Sequence, residues 1–135
     1  MRDMMSARRE YKLWLGIPGV GEKVSAVFAA VIDDPARFSD KHKLWRYAGL
    51  AVSKQSSGKS TEREKGSRQG NRLLKSAAMM AAHNAIRGKN RFGRHYKELV
   101  EARVEPAMAQ KTVARGILAV ALAMGKSGRK YVDEP

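Results

Sequence analysis

Between Leu15 and Ala26 the sequence reads Leu-Gly-Ile-Pro-Gly-Val-Gly-Glu-Lys-Val-Ser-Ala. Apolar residues end one helical pattern, proline and glycine interrupt it, and a second helical pattern starts at once. That is the layout of a helix-hairpin-helix phosphate-binding element, and it commits the first thirty residues to two helices joined by a very short turn. At a helix start the unpaired backbone N–H groups and the helix dipole attract anions. Gly19 and Gly21 let the chain turn sharply and let a phosphate come close, and Lys23 adds a cation beside them. The competing interpretation is an ordinary helix–helix turn in which glycine serves geometry alone.

Helical periodicity continues through almost all of the chain. It predicts helices over Asp3 to Leu15, Glu22 to Ile32, Asp40 to Ala48, Ser67 to Ile86, Arg91 to Val104 and Ala107 to Met124. Asp33-Asp34-Pro35 ends the second, because a residue before proline avoids helical dihedrals. Asp40 and Ser67 are good N-caps. The run Ala77-Ala78-Met79-Met80-Ala81-Ala82 is apolar on every face, which predicts a buried core helix. Leu50-Ala51-Val52 is the one stretch that reads as briefly extended. The expectation is an all-α fold, a compact bundle of five or six short helices built around Ala77 to Ile86 and Val113 to Met124. Residues 1–124 form its single domain and residues 125–135 a disordered tail.

Charge then narrows the partner. The 135 residues hold 27 Lys and Arg against 13 Asp and Glu, a net charge of +14. Such a charge repels itself unless a partner or wide spacing of the cations offsets it; nucleic acid is the expected partner, with an anionic membrane as rival. From Ser53 to Gly70 no apolar side chain occurs, and Ser53 to Lys75 carries seven cations against two carboxylates. This segment reads as a basic loop leading into a basic helix start. Lys54, Lys59, Arg63, Lys65, Arg68, Asn71 and Arg72 are therefore candidate phosphate contacts.

Several chemistries are set aside. There is no cysteine, so disulfides and thiolate metal sites do not arise. His42, His83 and His95 are isolated, and Asp33-Asp34 has no second carboxylate pair at metal-binding spacing; no metal ligand is assigned. Gly58-Lys59-Ser60 ends like a nucleotide-binding phosphate loop, but Ser53 stands where that loop needs glycine and no strand precedes it. The run Ile117 to Met124 is far shorter than the roughly 20 residues of a membrane span. The N-terminus is charged and lacks a signal-peptide core. A cytoplasmic, membrane-free protein is expected.

Taken together, Ile17-Pro-Gly-Val-Gly21, Asp34-Pro-Ala-Arg-Phe38-Ser39, Tyr47-Ala-Gly-Leu50, Ser57-Gly58, Gly70-Asn71-Arg72-Leu73-Leu74 and the Ala/Met-rich helix resemble one family in order and spacing. The chain resembles the C-terminal domain of transposases from a large class of bacterial and archaeal insertion sequences, the bridge-RNA-guided serine recombinases. The likeness covers Leu15 to Met124. It implies that Ser57 is a catalytic nucleophile that attacks a DNA phosphodiester and forms a phosphoserine link, with Ser56 the alternative if the register slips by one. It also implies an N-terminal RuvC-like domain whose four acidic residues hold magnesium. Such a domain does not precede Leu15 in this sequence, so it is expected in trans or absent, and with it the magnesium. The implied partners are DNA and a guide RNA, and family members assemble as multimers. Val52 stands where the family has proline, Arg68 where it has lysine and Lys75 where it has arginine. A binding module without chemistry is the alternative function, and a basic structural protein that associates through its Ala/Met helices is the weaker third.

Overall fold

A computed structural model of the chain describes residues 4–52 and 72–133. Among these residues there are six α-helices, one 3-10 turn and no strand. Helix α1 spans Met4–Trp14 and α2 spans Glu22–Ile32. The two are clamped across their turn by Ser25, whose buried Oγ donates to the Tyr11 carbonyl at 2.7 Å.

Proline 35 ends α2 as expected. Asp34 is extended (φ −95°, ψ 115°), and its carboxylate accepts from the Ala36 N–H at 2.9 Å to start the turn Pro35–Arg37. Arg37 reaches back to the Ile32 carbonyl at 2.8 Å and covers an orphan acceptor at the end of α2. Helix α3 (Lys41–Tyr47) has Asp40 as its N-cap, accepting from Lys43 at 3.0 Å. Leu50 to Val52 then leave α3 without forming a strand.

Helix α4 spans Arg72–Ala85, α5 spans Arg91–Glu101 and α6 spans Pro106–Ser127. Asn90 serves two helices. Its Oδ1 accepts from Phe92 and Gly93 at the start of α5, and its Nδ2 donates to the Ala85 carbonyl at the end of α4. Helix α5 stops three residues short of its expected end. Arg103 turns left-handed (φ 71°), and the Val104 N–H bonds back to Leu99 at 2.9 Å.

The core lies where α4 and α6 face each other, with α1, α2 and α3 packed around them. Ala77, Ala78, Ala81, Ala82 and Ala85 meet Val113, Ala114, Ile117, Leu118 and Ala121, all buried. Small side chains on α4 allow the close approach. The expectation of a helix buried all round fails at Leu73 and Met80, which are more than half exposed; α4 has one buried face, and its outer Met and Leu stand in solvent. Trp14 closes the core, fully buried, with its indole N–H donating to the Ala121 carbonyl at 2.8 Å and its ring edge-on to Phe28 at 6.0 Å.

The chain after Met124 departs from the expected frayed tail. Helix α6 runs on to Ser127 because Gly125 is the residue that fits there: a Cβ on it would lie 2.6 Å from the Pro35 ring and 3.3 Å from Trp14. Gly128 ends the helix in the left-handed conformation. Tyr131 and Asp133 then fold back onto α5. By length and composition α6 could cross a membrane. Its apolar face is taken up by the core, since Val113, Ile117, Leu118 and Leu122 are buried on it.

Candidate nucleic-acid interface

The Ile17–Gly21 turn has two glycines with different surroundings. Gly19 has φ +87°, a backbone state that favours glycine. It also faces α4: a Cβ there would collide with the Ala81 carbonyl and lie 2.8 Å from the Ala85 nitrogen. Gly21 has ordinary extended dihedrals (φ −95°, ψ −170°), and a Cβ on it would meet nothing within 4 Å. Gly19 therefore presses the turn onto α4, and Gly21 keeps its outer side open.

Gly21 is the N-cap of α2 and supplies no side-chain cap. Its carbonyl accepts the first helical bond, from Ser25 at 2.9 Å. The backbone donors of Glu22, Lys23 and Val24 thus sit at an uncapped helix start, where a phosphate oxygen is a suitable acceptor. Gly21, Glu22 and Lys23 are exposed, so the Lys23 ammonium is accessible beside that start.

Arg72, the other described residue among the expected contacts, begins α4 and is exposed. The turn sits against Ala81 and Ala85 at the far end of the same helix. The 14 residues of α4 place the two about 20 Å apart, or about six base pairs along a duplex. The turn and Arg72 are thus two points of a surface and not one pocket. Ser57, Ser56, Lys54, Lys59, Arg63, Lys65, Arg68 and Asn71 lie outside the described residues.

A second cationic feature involves residues the sequence did not single out. Helices α3, α5 and α6 bound a groove of about 770 Å³, lined by Lys41, Trp45, Arg91, Arg94, His95 and Arg115 among others, with Glu98 as the acidic member. Arg115 joins the groove to the root of the basic segment. Its Nε donates to the Leu50 carbonyl at 2.6 Å, and its own carbonyl accepts from the Trp45 indole at 2.8 Å. Partial burial pulls the Arg115 pKa below the usual guanidinium value. One signal of this residue was available: Arg115 is the lone charge between Thr112 and Met124 in an otherwise apolar helix. Lys41, Arg91 and Arg94 carry no such mark, since they are spread over two helices that only tertiary packing brings together.

The family resemblance implies magnesium. Among the described residues no three of His, Cys, Asp and Glu gather to hold a metal ion. The described part of the chain does not fit that group.

Comparison with known proteins bears on the same stretch. Residues 11–97 match a family described as Transposase IS116/IS110/IS902 family. This match includes the turn, α2, α3, the basic segment and α4. The chain is also 34% identical over 116 residues to the insertion element IS110 uncharacterized 43.6 kDa protein of Streptomyces coelicolor. That alignment covers 85% of this chain and 28% of the relative, so the chain spans less than a third of the relative's length.

Proposed function

The chain belongs to the IS116/IS110/IS902 transposase family, and from that premise we propose that it is the nucleic-acid-binding, serine-bearing domain of a DNA transposase. The family match carries the proposal, because it spans both the hairpin turn and the basic segment that holds Ser57. Each element has a separate task. The uncapped start of α2, open at Gly21 and flanked by Lys23, takes a backbone phosphate. Arg72 takes another, about 20 Å along the strand. Contacts of this kind set position and carry no base specificity.

Ser57 supplies the reacting oxygen. Its hydroxyl forms a bond to a DNA phosphorus as the bond from that phosphorus to the leaving sugar oxygen breaks, and the resulting phosphoserine keeps the phosphodiester's energy for rejoining. A serine hydroxyl needs activation. The acidic companion domain of the family would supply it, with magnesium as its ion. DNA and a guide RNA are the proposed partners, in a multimeric assembly.

The test is a strand-transfer assay with the acidic domain supplied. Wild-type chain should give a covalent protein–DNA adduct. Ser57→Ala should give none while still binding DNA, and Ser56→Ala should behave as wild type. Equal adduct from wild type and Ser57→Ala would remove Ser57 as the nucleophile, and no adduct from wild type would leave a binding module without chemistry.

A further inference from the structure

Two residues that line the groove between α3, α5 and α6, Arg91 and Arg94, also hold an anion of the chain itself. After α6 the chain turns back, and the Tyr131 ring stacks on Phe92 at 6.2 Å with 27° between the ring planes. The Tyr131 hydroxyl donates to Asp133 Oδ1 at 2.6 Å, and the Arg91 backbone N–H donates to the same oxygen at 2.9 Å. The Arg94 guanidinium donates to Oδ2 at 3.1 Å. The carboxylate is thus held by a helix-start N–H, a guanidinium and a phenol, a donor set that suits a phosphate equally well.

These bonds hold Asp133 in its charged form. The Tyr131 hydroxyl does most, with the Arg91 N–H and Arg94 next, and the pKa falls to about 2. The Tyr131 phenol moves up, from its own burial first and from Asp133 second.

The other cations of the groove are positioned without a carboxylate in the contacts that hold them. Lys41 lies over the Trp45 ring at 5.5 Å, Arg91 lies over Phe92 at 5.5 Å, and Arg115 is tied to the Leu50 carbonyl. Four cations and a half-buried tryptophan therefore line the groove, with Glu98 as its one lining carboxylate. Cations along a groove with an aromatic wall are what single strands bind.

We propose that this groove takes single-stranded DNA, and that Asp133 occupies the place of one phosphate until the strand displaces it. The proposal rests on the DNA role given above. Its charge complementarity stands apart from the hairpin turn, which lies on α2. The occupied site keeps the α5 start and Arg94 neutralised in the free protein. A strand must exchange a phosphate for the carboxylate, so the Asp133 contact weakens binding and sharpens the requirement for a continuous backbone.

The test uses the full chain and a labelled single strand of about 12 nucleotides, read by fluorescence anisotropy. Asp133→Asn keeps the side chain's shape and removes its charge. It should bind about two- to fivefold more tightly than wild type, with an unchanged helical signal. Lys41→Gln should bind more weakly. In an Arg94→Gln background the gain from Asp133→Asn should be smaller, because Arg94 and Asp133 share one of the contacts that hold the carboxylate. Wild-type binding that is unaltered by Asp133→Asn and Lys41→Gln would overturn the groove and leave the turn as the binding element. No binding by wild type would overturn both. Preference for an RNA strand of the same sequence, with the same Asp133→Asn gain, would overturn the assignment to DNA.

Discussion

Replacing Gly19 by alanine should destabilise the protein strongly, whereas the same change at Gly21 should not. Gly19 has φ +87°, and an L-residue in that region costs about 1–2 kcal/mol. The added methyl would also collide with the Ala81 carbonyl and stand 2.8 Å from the Ala85 nitrogen and 2.9 Å from its Cβ. Those neighbours are largely backbone of a core helix and have little room to move, which adds about 1–3 kcal/mol. The sum is about 2–5 kcal/mol, against a total stability of about 5–15 kcal/mol for a domain. Gly21 has β-region dihedrals and nothing within 4 Å of a Cβ. Alanine there loses only the modest N-cap preference of glycine, about 1 kcal/mol or less. Urea unfolding followed by circular dichroism measures both. With an m-value of about 2 kcal/mol/M, Gly19→Ala should lower the midpoint by about 1–2.5 M and Gly21→Ala by about 0.5 M or less. Equal losses would refute the division of the turn into a packing glycine and an open one. The complementary measurement is DNA affinity, where Gly21→Val should weaken binding while helicity stays as in wild type.

Gly125→Ala should cost about 1–3 kcal/mol, since its methyl would meet the Pro35 ring at 2.6 Å and Trp14 at 3.3 Å; a thermal midpoint equal to wild type would contradict that packing. Arg115→Ala should cost about 1–3 kcal/mol in urea unfolding by leaving the Leu50 carbonyl without its 2.6 Å donor. Asp133 has its folded pKa depressed to about 2 from 3.8, so the stabilisation it gives is complete above the unfolded value and disappears as pH falls through the folded one. The Tyr131 ring resonances should therefore hold steady from neutral pH down to about 4 and shift at lower pH; a shift centred near the ordinary carboxylate value would show that the contact is not made.

The parts of the fold legible in the sequence were those set by local punctuation. Helix α2 falls at Glu22–Ile32, where apolar spacing, the glycine turn and Asp-Pro coincide. Asp40 caps α3 and Asp34 takes an extended shape because each answers to its own neighbours. Long-range contacts were not legible. Gly125 reads as the first residue of a tail, yet it sits inside α6, where Pro35, ninety residues earlier, comes against it. Tyr131 and Asp133 read as tail residues until α5 presents Phe92, Arg91 and Arg94 to them. The candidate interface divides in the same way. Gly21 and Lys23 are adjacent in sequence and were found together, whereas Lys41, Arg91, Arg94 and Arg115 come from three helices and meet only once the bundle is packed.

The most direct measurement of whether this scaffold grips a sugar-phosphate backbone is the salt dependence of its affinity for duplex DNA. Each phosphate neutralised contributes about −0.9 to the slope of log affinity against log salt. Contacts from Lys23, Arg72 and the cations proposed for the basic segment should together give a slope of about −3 or steeper. A slope shallower than about −1 would contradict the account, because the chain's positive charge would then have little to do with what it binds.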